Sequence, residues 1–73
     1  MSAIEFLASH NINKDNYPDF IFMVQRIQNN RGNPVYSWSE GGEYCFKWAN
    51  GSHAMIRIYP DGTKQPTIRC SLN

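Results

Sequence analysis

Gly42-Glu43-Tyr44-Cys45-Phe46-Lys47-Trp48-Ala49-Asn50-Gly51-Ser52-His53-Ala54-Met55-Ile56-Arg57-Ile58-Tyr59-Pro60-Asp61-Gly62 decides how the chain folds. It reads as two β-strands joined by a tight turn, with a second turn leading out. Both strands are rich in aromatic and β-branched residues, which suit a pleated, half-buried surface. Asn50-Gly51 is a strong hairpin signal, because a two-residue type I′ turn needs φ > 0 at both central positions. With those two residues as the loop, Trp48 is expected opposite His53, Phe46 opposite Met55 and Tyr44 opposite Arg57.

Side chains alternate across a strand, so that register predicts an aromatic face of Tyr44, Phe46, Trp48, His53, Met55, Arg57 and Tyr59. Before this hairpin, Val35-Tyr36-Ser37-Trp38-Ser39 reads as a strand and Glu40-Gly41-Gly42-Glu43 as another tight turn. With Gly41 and Gly42 as its loop, Trp38 is expected opposite Cys45 and Tyr36 opposite Lys47. After the hairpin, Tyr59-Pro60-Asp61-Gly62-Thr63 suits a type I turn with proline second and glycine fourth. That turn predicts a last strand with Ile68 opposite Ala54. The second face then holds Tyr36, Trp38, Cys45, Ala54, Ile56, Ile58 and Ile68.

Toward the N-terminus the pattern becomes helical. Ser2 and Glu5 have the spacing of a capping box, with Ile4, Leu7 and Ala8 as the apolar stripe that follows. Residues 10–16 are polar and turn-prone. Pro18 opens a second helix, where its missing amide is harmless, and Phe20, Met23, Val24 and Ile27 recur at helical spacing. Asn30, Gly32 and Pro34 end it. Phe22 falls off that stripe, and reads equally as exposed or as packed against the first helix or its linker.

The expected fold is α+β: two N-terminal helices packed on one face of a C-terminal antiparallel β-meander of three to four strands, a two-layer sandwich. The expected bounds are helices about 2–10 and 18–30 and strands about 35–39, 43–49, 52–59 and 63–70, in one domain spanning 1–73. Two short helices cover one sheet face only. Either face is a candidate for that cover, and the other is left as an apolar surface of the kind that marks an interaction site.

Composition bounds the partner. The 73 residues carry a formal net charge of +1 with 14% aromatic residues, so no strong non-specific pull on nucleic acid or an anionic membrane is expected. Residues 1–12 do not read as a signal peptide, and no stretch approaches the ~20 apolar residues of a membrane span. Cys45 and Cys70 read first as two reduced, buried thiols in a cytoplasmic protein and second as a disulfide, while a zinc site is disfavoured because no Cys-x-x-Cys or His-x-x-x-His spacing is present. No cofactor, metal or small-molecule substrate is expected.

Three functions fit these residues. The first is a non-enzymatic binding module, a regulator or inhibitor that acts through contact with a protein partner, or through self-association as a homodimer. Tyr44, Phe46, Trp48, His53, Met55, Arg57 and Tyr59 form its contact face, since aromatic residues, Met and Arg are enriched at interface centres. The second is single-stranded nucleic-acid binding, with Tyr44, Phe46 and Trp48 stacking bases and Lys47, Arg57, Lys64 and Arg69 reaching phosphates. The third is RNA cleavage, where His53 could act as a general base on a 2′-hydroxyl. Gly51-Ser52-His53, Tyr59-Pro60-Asp61-Gly62 and Thr67-Ile68 together resemble the Gly-Ser-His strand motif of HicA-type toxins. The resemblance covers under a third of the chain. It implies a double-stranded-RNA-binding-like fold and a catalytic role for His53.

Overall fold

The computed structural model describes residues 2–59 and 67–71. Helices α1 (Ala3–Ser9) and α2 (Pro18–Arg31) precede strands β1 (Tyr36–Glu40), β2 (Glu43–Lys47), β3 (His53–Arg57) and β4 (Thr67–Ser71). The strands form one antiparallel sheet in the order β1-β2-β3-β4, and both helices pack on one of its faces. This is the expected two-layer α+β meander. Among the described residues both helices precede the sheet.

The local signals behave as their chemistry requires. Ser2 caps α1: its hydroxyl accepts from the Glu5 amide at 3.1 Å, and Glu5 accepts from the Ser2 amide at 3.2 Å. These bonds hold the Glu5 carboxyl below its ordinary value. Pro18 sits in the first turn of α2, and Gly32 caps the other end. The Gln28 side chain accepts from the Ala3 amide at 2.9 Å, which ties the two helices together. In α2 the buried stripe is Phe20, Ile21, Val24 and Ile27. Ile21 therefore takes the place expected for Met23, which is half-buried, and Phe22 is exposed. In α1, Ala3 and Leu7 are buried and Ala8 is exposed.

Gly41 and Gly42, at φ 57° and 82°, form the two-residue turn between β1 and β2. Trp38 pairs with Cys45 and Tyr36 with Lys47, as the sequence suggested. The β2–β3 hairpin differs from expectation by one residue. Phe46 pairs with Ala54, Tyr44 with Ile56, Lys47 with His53 and Glu43 with Arg57.

The cause is the loop. Its three residues are Ala49, Asn50 and Gly51, closed by the Trp48 amide donating to the Ser52 carbonyl at 2.9 Å. The Gly51 amide donates to the Trp48 carbonyl, and Gly51 takes φ 94° while Asn50 keeps a negative φ. That is a type I turn followed by a left-handed glycine, not a type I′ turn. A one-residue slip sends every β3 side chain to the other face. Here it brings Tyr44 and Phe46 onto the same face as Ala54 and Ile56.

That face is the core. Phe46 and Ile56 are fully buried with Leu7, Phe20, Val24 and Ile27, and Trp48 and Ile12 lie almost as deep. Each large side chain buried in this way contributes on the order of 1.5–3 kcal/mol. Ile68 pairs with Ile56 rather than Ala54, a two-residue shift that keeps it on the core face. The expected Pro60-Asp61-Gly62 turn, and residues 63–66 of the last strand, lie outside the described residues.

Candidate functional site

The site is built on the sheet face that the helices leave open. The registers set three rows across it. Trp38, Cys45, Met55 and Arg69 form the middle row. Tyr36, Lys47, His53 and Ser71 form a second, and Glu40, Glu43, Arg57 and Thr67 a third. Trp38, Cys45 and Met55 are half-buried by their neighbours, while Lys47, His53, Arg57 and Arg69 are exposed. An apolar centre is thus flanked on either side by charged and polar residues.

The flanking charges are engaged within the face. Arg57 donates to Glu43 at 3.1 Å, and its guanidinium lies 5.8 Å from the centre of the Tyr59 ring. The Lys47 ammonium lies 5.9 Å from the centre of the Tyr36 ring. An ion pair this exposed contributes about 0–1 kcal/mol, so it orients the side chains more than it stabilises the fold. The Cys45 thiol reaches Glu43 Oε1 at 3.7 Å. Burial, and then the Glu43 carboxylate, push the Cys45 thiol pKa above its ordinary 9.0.

The residues expected to share one contact face are divided between two. His53, Met55 and Arg57 lie on the open face, with Tyr59 beyond the strand end beside Arg57. Tyr44, Phe46 and Trp48 lie on the covered face. Phe46 packs edge-on against Phe6 at 5.6 Å between ring centres, and Trp48 donates from Nε1 to the Gly32 carbonyl at 2.9 Å. Tyr44 stands edge-on to His10 at 5.2 Å. Tyr44 and His10, with Tyr17, Asn16, Ile58 and Gly42, line a cavity of about 340 Å³ at the mouth between the α1–α2 linker and the sheet.

Trp38, Tyr36 and Cys45 belong to the open face but were not expected among the contact residues, whereas Arg69, expected only as a phosphate contact, also lies there. The signal for the first three was present in the Trp38–Cys45 and Tyr36–Lys47 pairings, which the Gly41-Gly42 turn fixes independently of the next hairpin. Cys45 and Cys70 are both free thiols. They lie on opposite faces, because Cys70 pairs with the inward Ala54.

His53, the residue matched to the toxin motif, stands exposed between Lys47 and Ser71. Its neighbour Ser52 is fully buried on the other face. Among the described residues no cluster of His, Cys, Asp or Glu could hold a metal ion. No helix among them is long and apolar enough to cross a membrane.

Fold and site together define a two-layer α+β domain with one sheet face covered and one open. Comparison with protein-family models, with curated proteins and with solved structures finds no match to this chain.

Proposed function

We propose that this protein is a small binding module that contacts a partner protein through the open face of its sheet. It acts as a regulator or inhibitor by occupying a surface rather than by transforming a substrate. The observation that carries this reading is the middle row Trp38–Cys45–Met55, which no helix among the described residues covers. An apolar centre with a rim of mixed charge is the usual anatomy of a protein–protein contact. Trp38 is the natural anchor, since Trp is among the residues that dominate binding energy at such centres.

Nucleic acid fits this face less well. Glu40 and Glu43 stand on it beside the cations, and Arg57 is already paired with Glu43. Phosphate recognition needs a surplus of free positive charge. Phe46 and Trp48, two of the rings expected to stack bases, are buried.

The test is a photo-crosslinking amino acid at position 55, with position 8 on α1 as the control, in the cell that makes the protein. A discrete protein adduct from position 55 and none from position 8 is expected. Adducts to RNA, or equal protein adducts from both positions, would overturn the reading.

A further inference from the structure

A second surface, away from the open face, fits another copy of this chain. Phe22 is 68% exposed on α2, an unusual position for so large an apolar side chain. Phe22, Met23 and Arg26 line a pocket of about 230 Å³ together with Cys70 of β4. This flank of α2 therefore lies at the β4 margin of the sheet. β4 is an edge strand, and among the described residues no strand pairs with its outer side. An exposed aromatic beside an unpaired strand edge is a surface that native proteins ordinarily cover or protect.

The sequence of α2 specifies the cover. Asp19, Phe22, Met23 and Arg26 fall at the spacing that places side chains on one stripe of a helix. Asp19 and Arg26 have the same midpoint along the helix as Phe22 and Met23. Two copies of α2 packed antiparallel about a twofold axis at that midpoint place Phe22 on Met23 of the other copy. The same axis places Asp19 against Arg26 of the other copy, twice over. Among the described residues neither Asp19 nor Arg26 has a side-chain hydrogen bond or ion pair within its own chain. A twofold contact is self-complementary when each residue and its counterpart exchange roles in this way. A contact on this stripe would also lie over the neighbouring edge of β4.

We infer that the chain self-associates as a twofold dimer through the Asp19–Phe22–Met23–Arg26 stripe of α2 and the neighbouring edge of β4. This surface is separate from the Trp38–Cys45–Met55 row, so the dimer and the proposed partner contact stand or fall independently.

The experiment is light scattering on a size-exclusion column over a concentration series. The natural chain, Asp19→Arg, Arg26→Glu and an equimolar mixture of the two variants are compared. Circular dichroism confirms that each variant is folded. The natural chain is expected to approach twice its 8.4 kDa mass. Each single variant sets like charges together at both contacts, and should weaken the dimer by about tenfold or more. In the mixture every contact is again between opposite charges, so the dimer should return. A helix weakened by the substitution alone would not be rescued by mixing. A natural chain that stays monomeric up to millimolar concentration overturns the inference. So does a dimer indifferent to both charge changes, or a mixture that fails to recover. Lys14→Glu, exposed on the α1–α2 linker, serves as the control and should leave the mass unchanged.

Discussion

The indole Nε1 of Trp48 donates a hydrogen bond to the Gly32 carbonyl at 2.9 Å. This bond joins the residue that enters the β2–β3 loop to the residue that ends α2. Trp48 is 3% exposed, so its ring fills the core while its polar atom finds a partner at the edge. The helical layer and the sheet are held in register at this point.

Trp48→Ala should therefore act on stability before anything else. Truncating a buried aromatic costs about 3–5 kcal/mol, a large share of what a chain of this size can hold. Trp48→Phe keeps an aromatic ring but loses the hydrogen bond, worth about 1 kcal/mol. Thermal unfolding followed by circular dichroism should rank the natural chain first, then Phe, then Ala. Equal melting temperatures for all three would place Trp48 outside the core.

Gly42 is the second fixed point. It takes φ 82°, and a Cβ there would collide with the backbone carbonyl of Ile58. Gly41 also has a positive φ, but a Cβ at that position would meet nothing. Gly41→Ala should cost about 1–2 kcal/mol from backbone strain alone. Gly42→Ala should cost clearly more, because the obstacle is backbone and not a flexible side chain. Chemical denaturation of the two variants checks the order, and equal midpoints would contradict the tight β1–β2 turn.

The thiols report on pH. Burial pushes both Cys45 and Cys70 above their ordinary 9.0, with the Glu43 carboxylate adding to the effect at Cys45. The folded chain thus holds these protons more tightly than the unfolded chain does. The resulting stability is intact below about pH 9 and is lost as pH rises through the raised values. Alkylation by iodoacetamide at about pH 8 should be slower than for an unperturbed cysteine thiol. Glu43→Gln should quicken the reaction at Cys45 and leave Cys70 unchanged. An equal change at both would show that Glu43 does not act on Cys45 in particular.

Met55→Glu and Trp38→Ala separate binding from folding. Both side chains are half-buried on the face without helices, so each should cost about 1 kcal/mol or less in stability. Trp38→Ala should nevertheless weaken the partner contact by about 2 kcal/mol or more, some thirtyfold in affinity. Titration calorimetry with the crosslinked partner, once purified, measures this. Unchanged affinity would remove the middle row from the contact.

The elements were legible because their ends carry chemistry that does not depend on the rest of the chain. Ser2 with Glu5, Pro18, and Gly41 with Gly42 each announce a cap or a turn from neighbouring residues alone. Helix spacing likewise located Phe20, Val24 and Ile27. The contact face was not legible, because it hangs on the length of one loop. Asn50-Gly51 suits a two-residue turn, yet the chain takes Ala49 as well and lets Gly51 alone adopt the left-handed conformation. What selects that loop is the pairing of Phe46 with Ala54 and of Tyr44 with Ile56 beneath the helices. That gain belongs to tertiary packing, which local pattern does not encode. Trp38 and Cys45 were paired correctly, yet were grouped with Ala54 and Ile56, which turn inward.

The most direct measurement is alkylation of Cys45 and Cys70 with and without the captured partner, read by mass spectrometry. Cys45 lies in the middle row of the open face, and Cys70 faces the helices. Binding at the open sheet should slow alkylation of Cys45 several-fold and leave the rate at Cys70 as it was. Protection of Cys70 alone, or of neither thiol, would contradict a partner contact on the Trp38–Cys45–Met55 face.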